Sequence, residues 1–185
     1  MKECYDIAVL VGSLRAGSYN RMLAQALAGL SPAGMNFRFV EIGDLPLYNS
    51  DLDTDAPPAA WTRFRGEMRG ADGVLFVTPE YNRSVPGALK NALDVGSRPM
   101  GESVWKGKPA AIVTGSPGAI GGFGANHHLR QPLVFLDMPL MQQPEAYIGN
   151  VAKLFAQDGS VASDGTRDFL KSIAEAFAAW VAKFA

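Results

Sequence analysis

Five apolar segments, separated by stretches rich in glycine and proline, have the length and composition of β-strands. Residues 6–11, 73–77 and 109–114 are apolar almost throughout, which is typical of strands buried on both faces of a sheet. Residues 37–42 alternate between apolar and polar side chains, and this pattern predicts a strand with one more polar face. A short fifth strand is predicted over residues 138–142.

Between these strands, leucine and aromatic residues recur every three or four positions, as they do in amphipathic helices. Helices are predicted to begin at Asn20, to cover residues 61–71, and to begin at Pro86. A fourth is predicted over residues 127–136, where Pro132 predicts a kink or a late start. The last helix has the clearest periodicity, with apolar positions at Phe169, Ile173, Phe177, Trp180 and Phe184.

Strands that alternate with helices predict an α/β fold, a doubly wound sheet of five parallel strands with helices on both faces. No repeat or linker divides the chain, so we expect one domain over residues 1–185. In such sheets, ligands bind beyond the carboxyl ends of the strands. The loops at residues 12–19, 79–85 and 115–124 follow the first, third and fourth strands. We therefore expect these three loops to form a binding site at one edge of the sheet.

Composition and charge exclude several classes of protein. The 17 Lys and Arg against 18 Asp and Glu give a net charge of −1, which argues against a nucleic-acid partner. No segment approaches the roughly 20 apolar residues of a membrane span, and the first residues do not resemble a signal peptide, so a cytoplasmic location is expected. The single Cys4 and the adjacent His127 and His128 make a poor metal-ligand set, and no metal site is predicted.

The loop after the first strand reads Gly-Ser-Leu-Arg-Ala-Gly-Ser-Tyr-Asn over residues 12–20. It precedes a helix, where unpaired N–H groups and the helix dipole favour an anion. The side chains that could donate hydrogen bonds to that anion are Ser13, Arg15, Ser18 and Asn20. A guanidinium can bind two oxygens of one phosphate. The predicted ligand is therefore a terminal phosphate, with Leu14 and Tyr19 as neighbours.

This loop differs from two familiar nucleotide-binding motifs. It lacks the GxxxxGK[ST] pattern of nucleoside triphosphatases. It has only Gly12 and Gly17, without the middle glycine of GxGxxG that lets a pyrophosphate approach. The alternative interpretation is a Ser- or Asn-capped helix beside an ordinary surface arginine.

The two other loops are suited to a planar heterocycle. Residues 79–86 begin and end with proline, and their backbone N–H and C=O groups could face the edge of a ring, with Tyr81 as a face or lid. The alternative is a turn with an exposed tyrosine. Residues 116–122 contain three glycines, and Gly118 lets the backbone approach a ligand closely.

Three segments of the chain resemble the NADPH-dependent FMN reductase family. They are Gly-Ser-Leu-Arg-x-Gly-Ser-x-Asn, Pro-Glu-Tyr-Asn-x-Ser-Val-Pro-Gly-Ala-Leu-Lys-Asn-Ala-x-Asp, and Gly-Lys-Pro. The resemblance covers about residues 7–149 and is greatest to the quinone reductases, which are also described as chromate- or azo-reducing flavoenzymes. It implies a flavodoxin-like fold, tightly bound FMN, NADPH or NADH as electron donor, quinones as acceptors, and a homodimer or homotetramer.

The resemblance also implies which residues contact the cofactor. Phosphate contacts carry over to Ser13, Arg15, Ser18 and Asn20. Ring contacts carry over to Pro79, Glu80, Tyr81 and Asn82, and more loosely to Ser84 and Ser116. Leu14, Tyr19 and Gly118 complete the predicted cofactor-binding set. The flavin carries the chemistry, so no side chain is predicted as a catalytic base, and Tyr81 is predicted to shape the acceptor site.

One other class of protein shares these features. A flavodoxin-type electron carrier would have the same fold and cofactor but would pass single electrons to a protein partner. Such carriers are usually strongly acidic, so the net charge of −1 favours the enzyme.

Overall fold

In the computed structural model, which describes residues 2–184, five strands form one parallel sheet. They are β1 (Tyr5–Val11), β2 (Met35–Phe39), β3 (Gly73–Thr78), β4 (Ala110–Gly115) and β5 (Ala146–Ile148). Their order across the sheet is β2-β1-β3-β4-β5, with every neighbouring pair parallel. This order changes direction at β1, so the crevice between the carboxyl ends of β1 and β3 is the place where a ligand is expected.

Five helices cover the two faces of the sheet. They are α1 (Tyr19–Leu30), α2 (Ala59–Arg69), α3 (Gly87–Gly96), α4 (Phe123–Phe135) and α5 (Asp164–Phe184). Short 3₁₀ turns lie at Ser50–Leu52 and Val151–Leu154. Apolar residues of α1 and α5 pack on one face, and those of α2, α3 and α4 pack on the other. The predicted flavodoxin-like α/β fold is confirmed.

The central strands supply both halves of the core because successive side chains point to opposite faces. Leu10 of β1 and Phe76 of β3 belong to the cluster under α2, α3 and α4. Val9 and Val77 belong to the cluster under α1 and α5. β1, β3 and β4 are buried on both faces almost throughout, as their uninterrupted apolar sequences predict.

The predicted fifth strand over residues 138–142 is wrong. That segment forms only one isolated bridge, between Leu140 and Ala110, and the strand itself lies at Ala146–Ile148. Met138, Leu140 and Met141 are buried, which explains the apolar pattern. However, a proline at position 139 cannot donate a hydrogen bond to a sheet, and the chain reaches the carboxyl-terminal half of β4 only further along.

Two helices differ from their predicted course. α4 begins at Phe123 rather than 127, so the expected late start is wrong. Gly121 and Gly122, with φ of +70° and +81°, turn the chain into the helix, and the helix contains Pro132. In α5, Phe169 and Phe184 are exposed, and the core-facing positions at the two ends of the helix are Leu170 and Val181.

Candidate functional site

The three loops predicted to form a site meet at the carboxyl edge of the sheet. They surround a pocket of about 180 Å³, which we call the central pocket. Nine of the predicted cofactor-binding residues line it: Ser13, Arg15, Ser18, Tyr19, Asn20, Pro79, Glu80, Tyr81 and Ser116. Leu14 lines two adjoining cavities instead. Asn82, Ser84 and Gly118 are in the same loops but outside the pocket lining.

The first loop leaves the sheet at a close approach between two strands. The N–H of Gly12 donates to the carbonyl of Val77 at 2.9 Å. A Cβ at Gly12 would collide with the side chain of Thr78, lying 2.8 Å from its Cβ. Glycine is therefore required at this position by the spacing of β1 and β3, which brings the first and third loops together.

Polar groups of this loop converge on the pocket. Ser18 is the N-cap of α1, and its hydroxyl accepts a hydrogen bond from the N–H of Arg21 at 3.2 Å. The N–H groups of Tyr19 and Asn20, in the first turn, have no acceptor within the helix. Ser13 and Ser18 are buried, and their hydroxyl protons are available to a ligand. The site therefore concentrates hydrogen-bond donors at a positive helix end.

Arg15 supplies the positive charge of the central pocket. Its side chain is exposed, and it makes no ion pair with any carboxylate in the part of the chain that the structure describes. An unpaired guanidinium beside two hydroxyls is suited to a phosphate, which it can bind through two oxygens.

Asn20 lines the pocket, but its side chain also has a structural partner. Its amide nitrogen donates to the carbonyl of Gly115, and its oxygen accepts from the N–H of the same residue, both at 3.1 Å. This pair joins the start of α1 to the carboxyl end of β4. One N–H of the amide remains for a ligand.

The loop after β3 contains a tight hairpin that the sequence reasoning did not identify. Tyr81 and Ser84 exchange backbone hydrogen bonds of 2.9 and 3.0 Å. The two residues between them, Asn82 and Arg83, have φ of +50° and +65°, as in a type I′ turn. Asparagine tolerates positive φ, so Asn82 was the available signal. The turn places Asn82 at the tip of the loop and leaves the Tyr81 side chain 47% exposed at the pocket mouth.

Several predicted ring-contact residues hold the loops in place. One oxygen of Glu80 accepts from the N–H of Ala125 at 3.1 Å, and the other pairs with Arg83 at 3.2 Å. The hydroxyl of Ser84 lies 3.1 Å from Nδ1 of His128. These contacts connect the hairpin to α4, and they fix its position beside the pocket.

Three further residues line the central pocket: Gly115, Pro117 and Val151. Gly115 and Pro117 flank Ser116 in the third predicted loop, whereas Val151 was missed because it comes from a distant segment. The N–H of Val151 donates to the carbonyl of Ser116 at 3.1 Å, which ties the glycine-rich loop to the 3₁₀ turn after β5. No local pattern near residue 151 indicates this contact.

A larger and more apolar cavity adjoins the central pocket. It has a volume of about 390 Å³, and we call it the apolar cavity. Its lining residues are Gly12, Leu14, Arg15, Tyr81, Pro86, Gly87 and Ala88. Arg15 and Tyr81 therefore stand between a polar compartment and an apolar one. Such a pair of compartments fits a ligand with a phosphate at one end and a flat ring at the other.

The sequence model of the NADPH-dependent FMN reductase family matches residues 5–153. The chain belongs to this family. Membership confirms the resemblance on which FMN and a nicotinamide electron donor were predicted, and it confirms an enzyme rather than an electron carrier.

Individual relatives cover almost the whole chain. A quinone reductase from Pseudomonas putida is 62% identical over 181 residues, which are 98% of this chain and 97% of that protein. A 2-hydroxy-1,4-benzoquinone reductase from a Burkholderia species is 52% identical and covers 95% of each chain.

Solved structures agree with the fold. The flavoenzyme NAD(P)H:(acceptor) oxidoreductase FerB from Paracoccus denitrificans has a TM-score of 0.92 at 44% identity, covering 97% of this chain and 98% of that one. A flavodoxin, WrbA-like protein from Agrobacterium tumefaciens has a TM-score of 0.66 at 15% identity, covering 98% of this chain and 99% of that one, which supports the fold alone. Within residues 2–184, no helix combines the length and apolar character needed to cross a bilayer.

Proposed function

We propose that this protein is an FMN-dependent reductase that transfers electrons from NADPH or NADH to quinones. The observation that carries this proposal is the pairing of two compartments where the three predicted binding loops meet. The central pocket gathers hydroxyls, helix N–H groups and Arg15, while the adjoining apolar cavity is bounded by Leu14, Tyr81 and Pro86. A phosphate-bearing planar cofactor and a flat apolar acceptor require these two environments side by side.

The residues present fit FMN. Ser13, Ser18 and the first turn of α1 would hold the phosphate, with Arg15 neutralising its charge. No pyrophosphate loop is present, which favours FMN over FAD. When bound, FMN supplies two-electron transfer between a nicotinamide and an acceptor.

The chain's own residues would position the cofactor ring and shield the bound acceptor from water. Glu80 fixes the third-strand loop against α4, so the backbone of residues 79–81 is held rigidly beside the pocket. Among these residues only Glu80 offers a backbone N–H to a ring, because Pro79 has none and the N–H of Tyr81 donates to Ser84. A fixed N–H of this kind would stabilise negative charge that develops on a bound ring, without any reorganisation during the reaction. Tyr81 and Leu14 are 47% and 56% exposed at the mouth, where they would cover a flat acceptor and exclude water.

Quinones are the proposed acceptors for two reasons. The relatives at 62% and 52% identity are named quinone reductase and 2-hydroxy-1,4-benzoquinone reductase. The apolar cavity also has the size and character for a substituted ring. Chromate and azo compounds are proposed as further acceptors of the same exposed site.

We also propose that one FMN-binding domain spans residues 1–185 and that it acts in the cytoplasm as a homodimer or homotetramer.

The surface of α4 supports the proposed self-association. This helix presents Phe123, Val134 and Phe135 to the surface, and Phe135 is 85% exposed. Leu133 of the same helix is buried in the core and takes no part in this surface. Exposed apolar side chains on one helix favour association with another subunit. A mass near 20 kDa by light scattering at micromolar concentration would be that of a monomer and would contradict the proposed homodimer or homotetramer.

The decisive test of the proposed function is flavin content followed by anaerobic reduction. The purified protein should release about one FMN per chain on denaturation, and its flavin absorbance should bleach on direct mixing with NADPH. Subsequent addition of a benzoquinone should restore the absorbance. Recovery of FAD, no flavin after incubation with FMN, or a flavin that neither NADPH nor NADH bleaches would each overturn the proposal.

A further inference from the structure

A third cavity lies on the opposite side of the phosphate loop, between the carboxyl ends of β1 and β2. It has a volume of about 320 Å³, and we call it the β2-side cavity. Its apolar lining comes from Val9, Val11, Phe39 and Val40, and its cationic side chains are Arg15 and Arg21. Ser13 and Arg15 line both this cavity and the central pocket, whereas Ser18, Asn20 and Tyr81 line only the central pocket. The two compartments are therefore neighbours on either side of the phosphate loop.

The charges of the β2-side cavity favour an anion. Like Arg15, Arg21 makes no ion pair with a carboxylate within the described range 2–184. The guanidinium carbon of Arg21 lies 5.7 Å from the centre of the Phe39 ring, a cation–π contact that orients it in advance. The one acidic residue in the lining is Glu41. Its Oε1 accepts from the N–H groups of Ile42 and Gly43 at 3.2 and 2.8 Å, so the carboxylate is held against its own loop.

The shape and position indicate the kind of anion. Because Arg15 is assigned to the FMN phosphate, Arg21 is the cation of this cavity. An apolar floor beside its guanidinium suits a phosphomonoester, with a charge of about −1.5 to −2, carried by a nucleoside. Glu41 follows β2 and is held by its own loop, so Arg21 is the charged side chain of this lining that is available to an anion.

We propose that the β2-side cavity binds the 2′-phosphoadenosine end of NADPH, with Arg21 on the 2′-phosphate. This inference rests on the proposed function, because it assigns the donor of that reaction. Leu14 and Arg15 line both this cavity and the apolar cavity, so a single extended dinucleotide could lie across them. Arg21 is then a specificity residue that favours NADPH over NADH.

The test measures binding of a redox-inactive fragment to the FMN-loaded protein. Isothermal titration should show tighter binding of 2′,5′-ADP, which carries the 2′-phosphate, than of 5′-AMP, which lacks it. Arg21→Ala should weaken 2′,5′-ADP by about 10- to 150-fold, the range for a charge-assisted hydrogen bond. Arg21→Lys keeps the positive charge and should recover part of the affinity for 2′,5′-ADP. Such a recovery would show that the loss in Arg21→Ala does not come from a folding defect. The matched control is Arg167→Ala, because Arg167 is an exposed arginine of α5 that lines a different pocket, which shares no residue with the β2-side cavity.

Kinetics provide a second readout. In Arg21→Ala, the KM for NADPH should rise relative to that for NADH, whereas Arg167→Ala should leave the ratio as in the wild type. Equal affinity of wild type and Arg21→Ala for 2′,5′-ADP, or equal binding of 2′,5′-ADP and 5′-AMP, would overturn the assignment. So would release of FMN by 2′,5′-ADP, detected as a rise in flavin fluorescence, because the fragment would then occupy the phosphate loop.

The two proposals fail in different ways. A protein that binds no FMN, or whose flavin neither NADPH nor NADH bleaches, overturns the proposed reaction, whatever the fragment does. A protein that is bleached by NADPH but does not discriminate through Arg21 overturns only the β2-side cavity assignment.

Discussion

Asn20, in the first turn of α1, and Gly115, at the carboxyl end of β4, exchange two hydrogen bonds of 3.1 Å. The two residues are 95 positions apart in sequence, and both line the central pocket. A Cβ at Gly115 would lie only 2.9 Å from the Asn20 oxygen, so glycine permits the contact. This pair fixes the phosphate-loop helix relative to the glycine-rich loop.

Replacing Asn20 should destabilise the apoprotein. Asn20→Ala leaves the buried N–H and C=O of Gly115 without partners, which costs about 1–3 kcal/mol in the free energy of unfolding. Urea denaturation of the FMN-free protein measures this loss. An unchanged urea midpoint would show that water takes over the hydrogen bonds that the Asn20 amide makes to Gly115.

Asn20→Asp distinguishes hydrogen bonding from packing through its pH dependence. A buried carboxylate facing the Gly115 carbonyl has a raised pKa, so the folded state binds more protons than the unfolded state. The protonated acid can donate to that carbonyl and accept from the N–H. The stability deficit of Asn20→Asp should therefore be largest at neutral pH and should shrink as the pH falls towards about 4. A deficit independent of pH would argue against this arrangement.

The sequence predicted the fold and the location of the site because both follow from short-range patterns. Uninterrupted apolar strands alternating with helices define a parallel sheet, and its carboxyl edge collects the loops. The reciprocal pairing of Asn20, the attachment of Glu80 to α4 and the contribution of Val151 could not be predicted, since each depends on a partner far along the chain.

The same distinction explains the wrong fifth strand. Burial of Met138, Leu140 and Met141 produces a strand-like pattern, but only the long-range pairing with Val113 to Gly115 selects Ala146–Ile148 as β5. An apolar pattern shows that a segment is buried, but a segment is a strand only if its backbone hydrogen-bonds to a neighbouring strand.

Two glycines of the first loop should respond oppositely to alanine. A Cβ at Gly12 would collide with Thr78, so Gly12→Ala should lower the free energy of unfolding by about 1–3 kcal/mol. Gly17 has no atom within 4 Å of the added Cβ, and Gly17→Ala is the matched control. Its stability should be unchanged or higher by up to about 1 kcal/mol. Equal losses in the two variants, measured by thermal denaturation without FMN, would contradict a steric requirement at Gly12.

Asp72 should make the protein sensitive to acid. Partial burial alone would raise the pKa of Asp72, but hydrogen bonds from Lys2 Nζ at 2.6 Å and the N–H of Asp6 at 2.7 Å lower it below its ordinary value. A lowered folded-state pKa stabilises the fold above the unfolded pKa of about 3.9, and this contribution is lost as the pH falls below it. Asp72→Asn should therefore be less stable than the wild type at pH 7 and should lose less stability between pH 5 and pH 2.5. Parallel stability profiles for the two proteins would assign the acid sensitivity to other carboxyl groups.

Arg15 should contribute strongly to FMN affinity. If it pairs with the phosphate in the central pocket, Arg15→Ala removes a charge-assisted interaction worth about 1.5–3 kcal/mol. The dissociation constant of FMN should rise on the order of 10- to 150-fold, as measured by fluorescence titration. Arg15→Lys should restore only part of the affinity, because an ammonium keeps the charge but not the planar pair of donors.

Riboflavin separates a phosphate contact from a general defect in the pocket. It lacks the phosphate, so wild type and Arg15→Ala should bind it with similar affinity. Ser18 and the first turn of α1 remain in Arg15→Ala, so turnover should recover when FMN is added in excess. An ordinary surface arginine would instead leave the FMN dissociation constant unchanged on substitution. Equal FMN affinities for wild type and Arg15→Ala would therefore contradict the assignment of the FMN phosphate to this loop. They would also contradict the proposed orientation of the cofactor between the central pocket and the apolar cavity.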